Sequence, residues 1–170
     1  PKSFCFGIGA ALGEMDGLIE QSSHSGWLKS PQSCFLLTSH KSLLSELELL
    51  LTRYISNQKE LTLKWKVALE SIEIEKRLLD QILNRLPLNI KLRIDANTGW
   101  TREEAQKWVD YLSNDPRLEW IEQPLPIDDL EGLSQLSRQV PIALDESLLA
   151  MPSLRNSWNG WQIRHPLIDG

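Results

Sequence analysis

From residue 33 onward the sequence repeats one unit, a short apolar strand followed by an amphipathic helix, and this repeat sharply limits the folds open to it. Ser33 to Thr38 (SCFLLT) reads as a buried strand, and residues 42–55 follow with leucines at 43, 44, 47, 50 and 51, a helical spacing. Leu61 to Val67 (LTLKWKV) alternates apolar and polar residues as a strand does. The next helix, over 72–86, is apolar at 72, 74, 78, 79, 82, 83 and 86 and stops at Pro87. A third strand, KLRIDA over 91–96, precedes a helix over 101–112 that opens on a Thr101/Glu104 capping box and carries Ala105, Trp108, Val109 and Leu112 on one face. Leu118 to Glu122 (LEWIE) leads to a short helix near 129–137, and 141–144 runs into Asp145 and Glu146. A last strand is expected over 162–165.

Strands alternating with helices every 25 residues or so predict a parallel α/β architecture. A closed TIM-type (β/α) barrel has eight strands and typically about 250 residues. This chain has 170 residues and about six strands. Two readings remain: an open sandwich, or a (β/α) barrel with both ends cut away. The first 32 residues differ in character. Phe6 to Met15 is rich in Ala and Gly and reads as a helix joining to something upstream; 22–32 is rich in Ser, Gly and Pro and reads as loop.

Composition narrows the partners. The 18 basic residues are scattered among 23 acidic ones, for a formal net charge of −5, so no cationic stripe invites nucleic acid or an anionic membrane surface. No apolar run approaches the roughly 20 residues that span a bilayer, and the N-terminus lacks a signal-peptide pattern. These features predict a cytoplasmic protein with neither nucleic acid nor membrane as partner. Cys5 and Cys34 lie far apart without metal-ligand spacing and are expected to be buried free thiols.

Three acidic residues stand at the ends of successive strands: Asp95 in RIDAN, Glu122 in IEQP and Asp145 in LDES, 27 and 23 residues apart. In a parallel barrel that phase brings all three carboxylates to the C-terminal rim, where barrel enzymes keep their active sites. Hard oxygen donors with no Cys or His among them suit Mg²⁺. Taken singly, each is equally a turn or helix-cap residue.

Lys64 and Lys66 are two apart on a strand and point to one face, with Trp65 on the other. In a barrel the helix-facing side is apolar, so Trp65 turns outward and both lysines face the interior. Mutual repulsion and a nearby metal would lower a lysine pKa toward the range useful for a base. A solvated edge strand would also carry lysines on one face, but the carboxylate series favours the catalytic reading. Asn97 either orients a ligand or makes the turn before Gly99. Gln123 and Pro124 shape the rim or end a strand. Glu146 either supports a metal ligand from behind or is an exposed loop acid. Tryptophans 100, 108, 120, 158 and 161 read as packing residues.

The series K-x-K at Lys64 and Lys66, then RIDANTGW, IEQPL and PIALDES, in that order, resembles the barrel of the enolase superfamily, and within it the muconate-lactonizing subgroup. The form DANTGWTREEA…WIEQPL…DDLEGLSQLS…PIALDESL is most similar to the o-succinylbenzoate synthase family. The resemblance covers roughly residues 60–150 well and the flanks loosely.

It implies that Asp95, Glu122 and Asp145 bind Mg²⁺, that Lys66 takes a proton from the carbon beside the carboxylate of a small-molecule substrate, and that Lys64 sits beside it. Loss of a β-hydroxyl as water would complete the aromatic ring of o-succinylbenzoate, on the route to menaquinone or phylloquinone. A dipeptide epimerase or N-acylamino acid racemase of the same subgroup, or a barrel fragment without catalysis, are the alternatives. The family also carries a lysine on its sixth strand; here His165, or Arg164 if the register slips, stands in its place. By the same resemblance, residues 1–32 join an absent N-terminal capping domain and 33–170 form part of the barrel. Open sheet edges and unburied apolar helix faces in such a piece predict that it is poorly soluble or self-associates; a homo-oligomer is a further expectation.

Overall fold

The computed structural model describes residues 2–17, 33–38, 42–55 and 61–165. Two compact units divide the chain, Ser33–Ile163 and the pairing of Pro1–Gln32 with Arg164–Gly170. In the second, the helix α1 (Lys2–Met15) leaves Phe4, Ile8, Leu12 and Met15 exposed along one stripe. Cys5 on that helix is exposed and Cys34 half-buried, so the expectation of two buried thiols is corrected. A helix this sparsely covered has no core in which to bury a thiol. The loop expected over 22–32 lies outside the described residues. Among the described residues no helix is long and apolar enough to cross a membrane.

The larger unit is a six-stranded parallel sheet: β1 (Phe35–Leu37), β2 (Thr62–Lys66), β3 (Lys91–Asp95), β4 (Leu118–Glu122), β5 (Ile142–Leu144) and β6 (Trp161–Gln162). Each strand is joined to the next by a helix: α2 (Leu43–Ile55), α3 (Ile72–Arg85), α4 (Arg102–Leu112) and α5 (Leu130–Leu136), then the short pair α6 (Glu146–Ala150) and α7 (Leu154–Ser157). The strands lie in sequence order, β1-β2-β3-β4-β5-β6, with no reversal. A doubly wound sheet reverses at a switch point; sequential order is the winding of a (β/α) barrel, here represented by six of its eight strands.

One apolar layer holds this arc together. Leu63 and Trp65 of β2, Leu92 and Ile94 of β3, Ile121 of β4 and Ile142 and Leu144 of β5 share a single core with Leu47 of α2, Leu79 and Ile82 of α3, Trp108 and Val109 of α4 and Leu133 of α5. Trp65 meets Trp108 edge-on at 6.1 Å, and Trp108 stacks on Trp100 at 5.0 Å. The alternate positions of the same strands, Lys64, Lys66, Arg93, Asp95, Trp120 and Glu122, therefore occupy the opposite, inner face.

Local chemistry sets the ends of the helices. The Thr101–Glu104 capping box forms as the sequence predicts, with the Glu104 amide donating to Thr101 Oγ1 at 3.2 Å and the Thr101 amide to Glu104 Oε2 at 2.9 Å. Asp129 caps α5 by accepting from the Gly132 amide and also receives Arg102 Nε at 2.7 Å. The strand expected over 162–165 is shorter. β5 offers partners only as far as Leu144 before the chain turns into α6, so β6 pairs through Trp161 and Gln162, and the Ile163 amide makes the last bond to Leu144 O.

Candidate active site

Strand register builds the site. Lys66 lies beside Asp95, and Asp95 beside Glu122, at the C-terminal ends of β2, β3 and β4. β2 runs between β1 and β3, which removes the reading of its lysines as a solvated edge. Asp95 and Glu122 side chains are each only 1% exposed, and burial on that scale demands a counter-charge. Lys64 supplies it: its ammonium sits 2.9 Å from Asp95 Oδ2 and 2.7 Å from Glu122 Oε1. Lys66, 41% exposed, reaches Asp95 Oδ2 at 3.2 Å and donates to Asn97 Oδ1 at 2.5 Å.

The charges answer one another in a consistent direction. Burial pushes the Glu122 carboxyl above the ordinary carboxylate range, against the Lys64 hydrogen bond that pulls it down. Burial works to lower the Lys64 ammonium, but the hydrogen bonds it donates to Glu122 and Asp95, with their charges, outweigh it and raise it. Lys64 is thus shifted upward, because the groups that hold its ammonium are two carboxylates.

The rim is also where the backbone is strained. Ala68, Asn97, Thr98 and Gln123 have positive φ (62°, 45°, 67° and 36°), and they follow β2, β3 and β4 directly. Such conformations cost on the order of 1–3 kcal/mol each for residues with a Cβ and gather at functional sites. Gly99 permits the tightest approach there, since a Cβ on it would lie 2.5 Å from Ala68 Cβ.

Several residues outside the carboxylate and lysine series hold this rim in place, among them Gln123, for which the sequence left rim-shaping and strand-ending both open. Gln123 is fully buried. Its Nε2 donates to Leu125 O at 3.0 Å and Ser147 Oγ at 2.8 Å, and its Oε1 accepts from the Asp145 and Ser147 amides at 3.2 and 3.1 Å. One amide thus ties the end of β4 to the start of α6 and fixes the backbone of Asp145. Glu75, buried on α3, accepts from the amides of Ala68, Leu69 and Glu70 and pins the loop after β2. Trp120 donates its indole N–H toward Glu122 Oε2 at 3.5 Å, while Arg93 lies over its ring at 3.9 Å and Trp161 packs beside it at 4.9 Å. Sequence alone left Gln123 as a rim-shaping or strand-ending residue, and its partners on Asp145 and Ser147 come from an element that no local pattern connects to it.

Asn97 receives Lys66 and donates its Nδ2 to Glu146 Oε1 at 3.0 Å, while its own amide donates to Asp95 Oδ1 at 3.1 Å. Asp145 stands at the cap of α6, half-buried, immediately after β5. Arg164 and His165 follow β6 outside the sheet, Arg164 exposed and His165 half-buried, and belong to the other compact unit.

Among the described residues no three Asp, Glu, His or Cys side chains stand grouped so as to hold a metal ion. The donor chemistry nonetheless fits Mg²⁺. Two buried carboxylates share a cation already, in the form of the Lys64 ammonium, and hard oxygens with neither sulfur nor imidazole are what Mg²⁺ takes.

Residues 48–158 match the model of the enolase C-terminal domain-like family. The chain belongs to that family. Among curated enolase-type relatives it is similar to the o-succinylbenzoate synthase of Thermosynechococcus vestitus, 40% identical over 106 residues, which is 59% of this chain and 33% of that protein. It is also similar to a hydrophobic dipeptide epimerase of Enterococcus faecalis, 41% identical over 88 residues, 51% of this chain and 24% of that one. In three dimensions it matches the crystal structure of o-succinylbenzoate synthase from Thermosynechococcus elongatus BP-1 with Mg in its active site. The TM-score there is 0.70 at 31% identity, covering 84% of this chain and 45% of the other. The chain therefore spans a quarter to a half of the length of these relatives.

Proposed function

We propose that this chain carries the proton-abstracting half of a Mg²⁺-dependent lyase that makes o-succinylbenzoate from 2-succinyl-6-hydroxy-2,4-cyclohexadiene-1-carboxylate, a step toward menaquinone or phylloquinone. The observation behind this is the inner-face constellation in which Lys64 and Lys66 meet Asp95 and Glu122 at one rim. Similarity to the synthases in sequence and in fold supports it.

Asp95, Glu122 and Asp145 would hold the Mg²⁺. When bound, the ion supplies positive charge to the substrate carboxylate as the adjacent C–H bond breaks. Lys66, as its neutral amine, is the base: it is the more exposed of the two lysines and its Nζ lies at the outer end of the strand. Lys64 lies deeper, bound to both carboxylates, and supplies fixed positive charge near the substrate carboxylate. The C–H bond breaks as Lys66 takes the proton, the C–O bond breaks as the C=C bond forms, and the hydroxyl leaves as water with the proton returned from Lys66.

Similarity to the dipeptide epimerase favours a second reading, reversible α-proton exchange on a dipeptide. Two-base epimerisation needs a base on each side of the α-carbon, and after β6 this sequence offers Arg164 and His165 where the subgroup has lysine. The test is o-succinylbenzoate formation by the complete gene product with Mg²⁺ or EDTA, run beside hydrophobic and Ala-Glu dipeptides. Mg²⁺-dependent aromatic product supports the lyase. Dipeptide α-proton exchange without it moves the function to the epimerases.

A further inference from the structure

Asn97 is held at both ends of its amide by groups that permit only one orientation. Lys66 Nζ, a pure donor, faces Oδ1 at 2.5 Å, and Glu146 Oε1, an acceptor when ionised, faces Nδ2 at 3.0 Å. A flipped amide would set Nδ2 against an ammonium and Oδ1 against a carboxylate. Asn97 also sits at φ 45°, and its backbone amide is anchored on Asp95 Oδ1 at 3.1 Å. The second Glu146 oxygen, Oε2, is buried and makes no hydrogen bond to the described residues, so the Asn97 amide is the partner that Glu146 has found.

We infer that Glu146 is a positioning residue for Lys66: it fixes the Asn97 amide, and the amide fixes the Lys66 ammonium at the end of β2. The chain Glu146–Asn97–Lys66 links the ends of β5, β3 and β2 and bypasses Glu122. It governs where the base stands rather than how the substrate carboxylate is held. This rests on Lys66 being the base, as proposed above.

The inference is tested in the complete protein with Glu146→Gln, Asn97→Ala and the double variant. Glu146→Gln should lower kcat about 10- to 100-fold, the scale on which small misplacements of reacting groups act, with KM moved less than about threefold. The double variant should be no more than about threefold slower than the slower single variant, because one chain is broken twice. Multiplying losses would overturn the inference. So would a change of more than about tenfold in the Mg²⁺ concentration that half-stabilises the protein, which would place Glu146 at the metal instead.

A readout independent of turnover accompanies these. In protein labelled with ¹⁵N-asparagine, the side-chain amide of Asn97, assigned by its loss in Asn97→Ala, should shift markedly in Glu146→Gln. An unmoved resonance refutes the contact whatever the reaction proves to be. If the wild type makes no o-succinylbenzoate, the proposed function falls, and the amide resonance alone decides whether the positioning chain exists.

Discussion

Lys64 Nζ donates to Glu122 Oε1 at 2.7 Å although 58 residues separate them and strand β3 runs between. The bond spans two strands across the inner face, and Asp95 on the intervening strand completes it at 2.9 Å. Lys64 is thus the counter-charge shared by two buried carboxylates, and removing it leaves Lys66, 3.2 Å from Asp95 Oδ2, to answer the pair.

Lys64→Met should accordingly destabilise the protein in the absence of divalent cations by roughly 3 kcal/mol, the lower end of what breaking a buried pair costs, since Lys64 keeps some exposure. Millimolar Mg²⁺ should restore more stability to this variant than to the wild type. Thermal unfolding with Mg²⁺ or EDTA reads both effects. Equal melting temperatures for the two proteins in EDTA would show that the carboxylates do not depend on Lys64.

Lys66→Ala and Asp145→Asn should separate base from metal. Lys66→Ala should lose about 10²- to 10⁴-fold in turnover, the usual contribution of a general base, while keeping the thermal shift produced by Mg²⁺. Asp145→Asn should reduce that shift, because stabilisation by a ligand grows with the logarithm of its concentration over Kd and a raised Kd lowers it. Melting curves across a Mg²⁺ titration, run beside an assay of product formation, check the pair. A full Mg²⁺ shift in Asp145→Asn would remove that residue from the ligand set.

Gln123→Leu keeps the volume of a fully buried side chain but strips the partners from Leu125 O, Ser147 Oγ and the amides of Asp145 and Ser147. Each buried group so orphaned costs about 1–3 kcal/mol, partly recovered by relaxation. A total of about 3 kcal/mol is expected in urea unfolding, together with weaker Mg²⁺ binding through a loosened Asp145. A variant as stable as wild type would contradict the strut.

A pH effect is expected away from the site. Hydrogen bonds from the Arg117 guanidinium, with its backbone amide and charge, hold the Asp115 carboxyl below the usual carboxylate range against the opposing pull of burial. Arg117 also donates to Leu86 O, so the pair bolts the end of α3 to the start of β4. A depressed folded pKa gives stability that is present above the unfolded value, near 3.8, and lost as pH falls through the lower folded value. Melting temperatures of wild type and Asp115→Asn should therefore differ most at neutral pH, by the equivalent of about 1 kcal/mol or less for a part-exposed pair. They should converge below pH 3.8. A gap that stays constant across this range would refute the linkage.

Much of this was legible in the sequence because it rests on period and spacing. Alternation in LTLKWKV put Trp65 in the core and Lys64 and Lys66 on the opposite face, since the strand period is two. The 27-residue interval from Asp95 to Glu122 is one β/α unit, so parallel pairing sets them side by side. The capping box of α4 is local and formed as written.

What only the tertiary structure decided lies in contacts between units and in the order of the strands. Periodicity cannot distinguish an open sandwich from a barrel arc, because both repeat strand and helix; sequential order did. Gln123 takes its importance from Ser147 and Asp145, and Asn97 from Lys66 and Glu146, partners that no local pattern connects. The direction of the Lys64 shift was set by two carboxylates from other strands rather than by Lys66, two residues on in its own strand. Sequence alone determines which residues face inward on each strand; folding decides which of them meet, because a side chain's charge and hydrogen bonds belong to its neighbours in space.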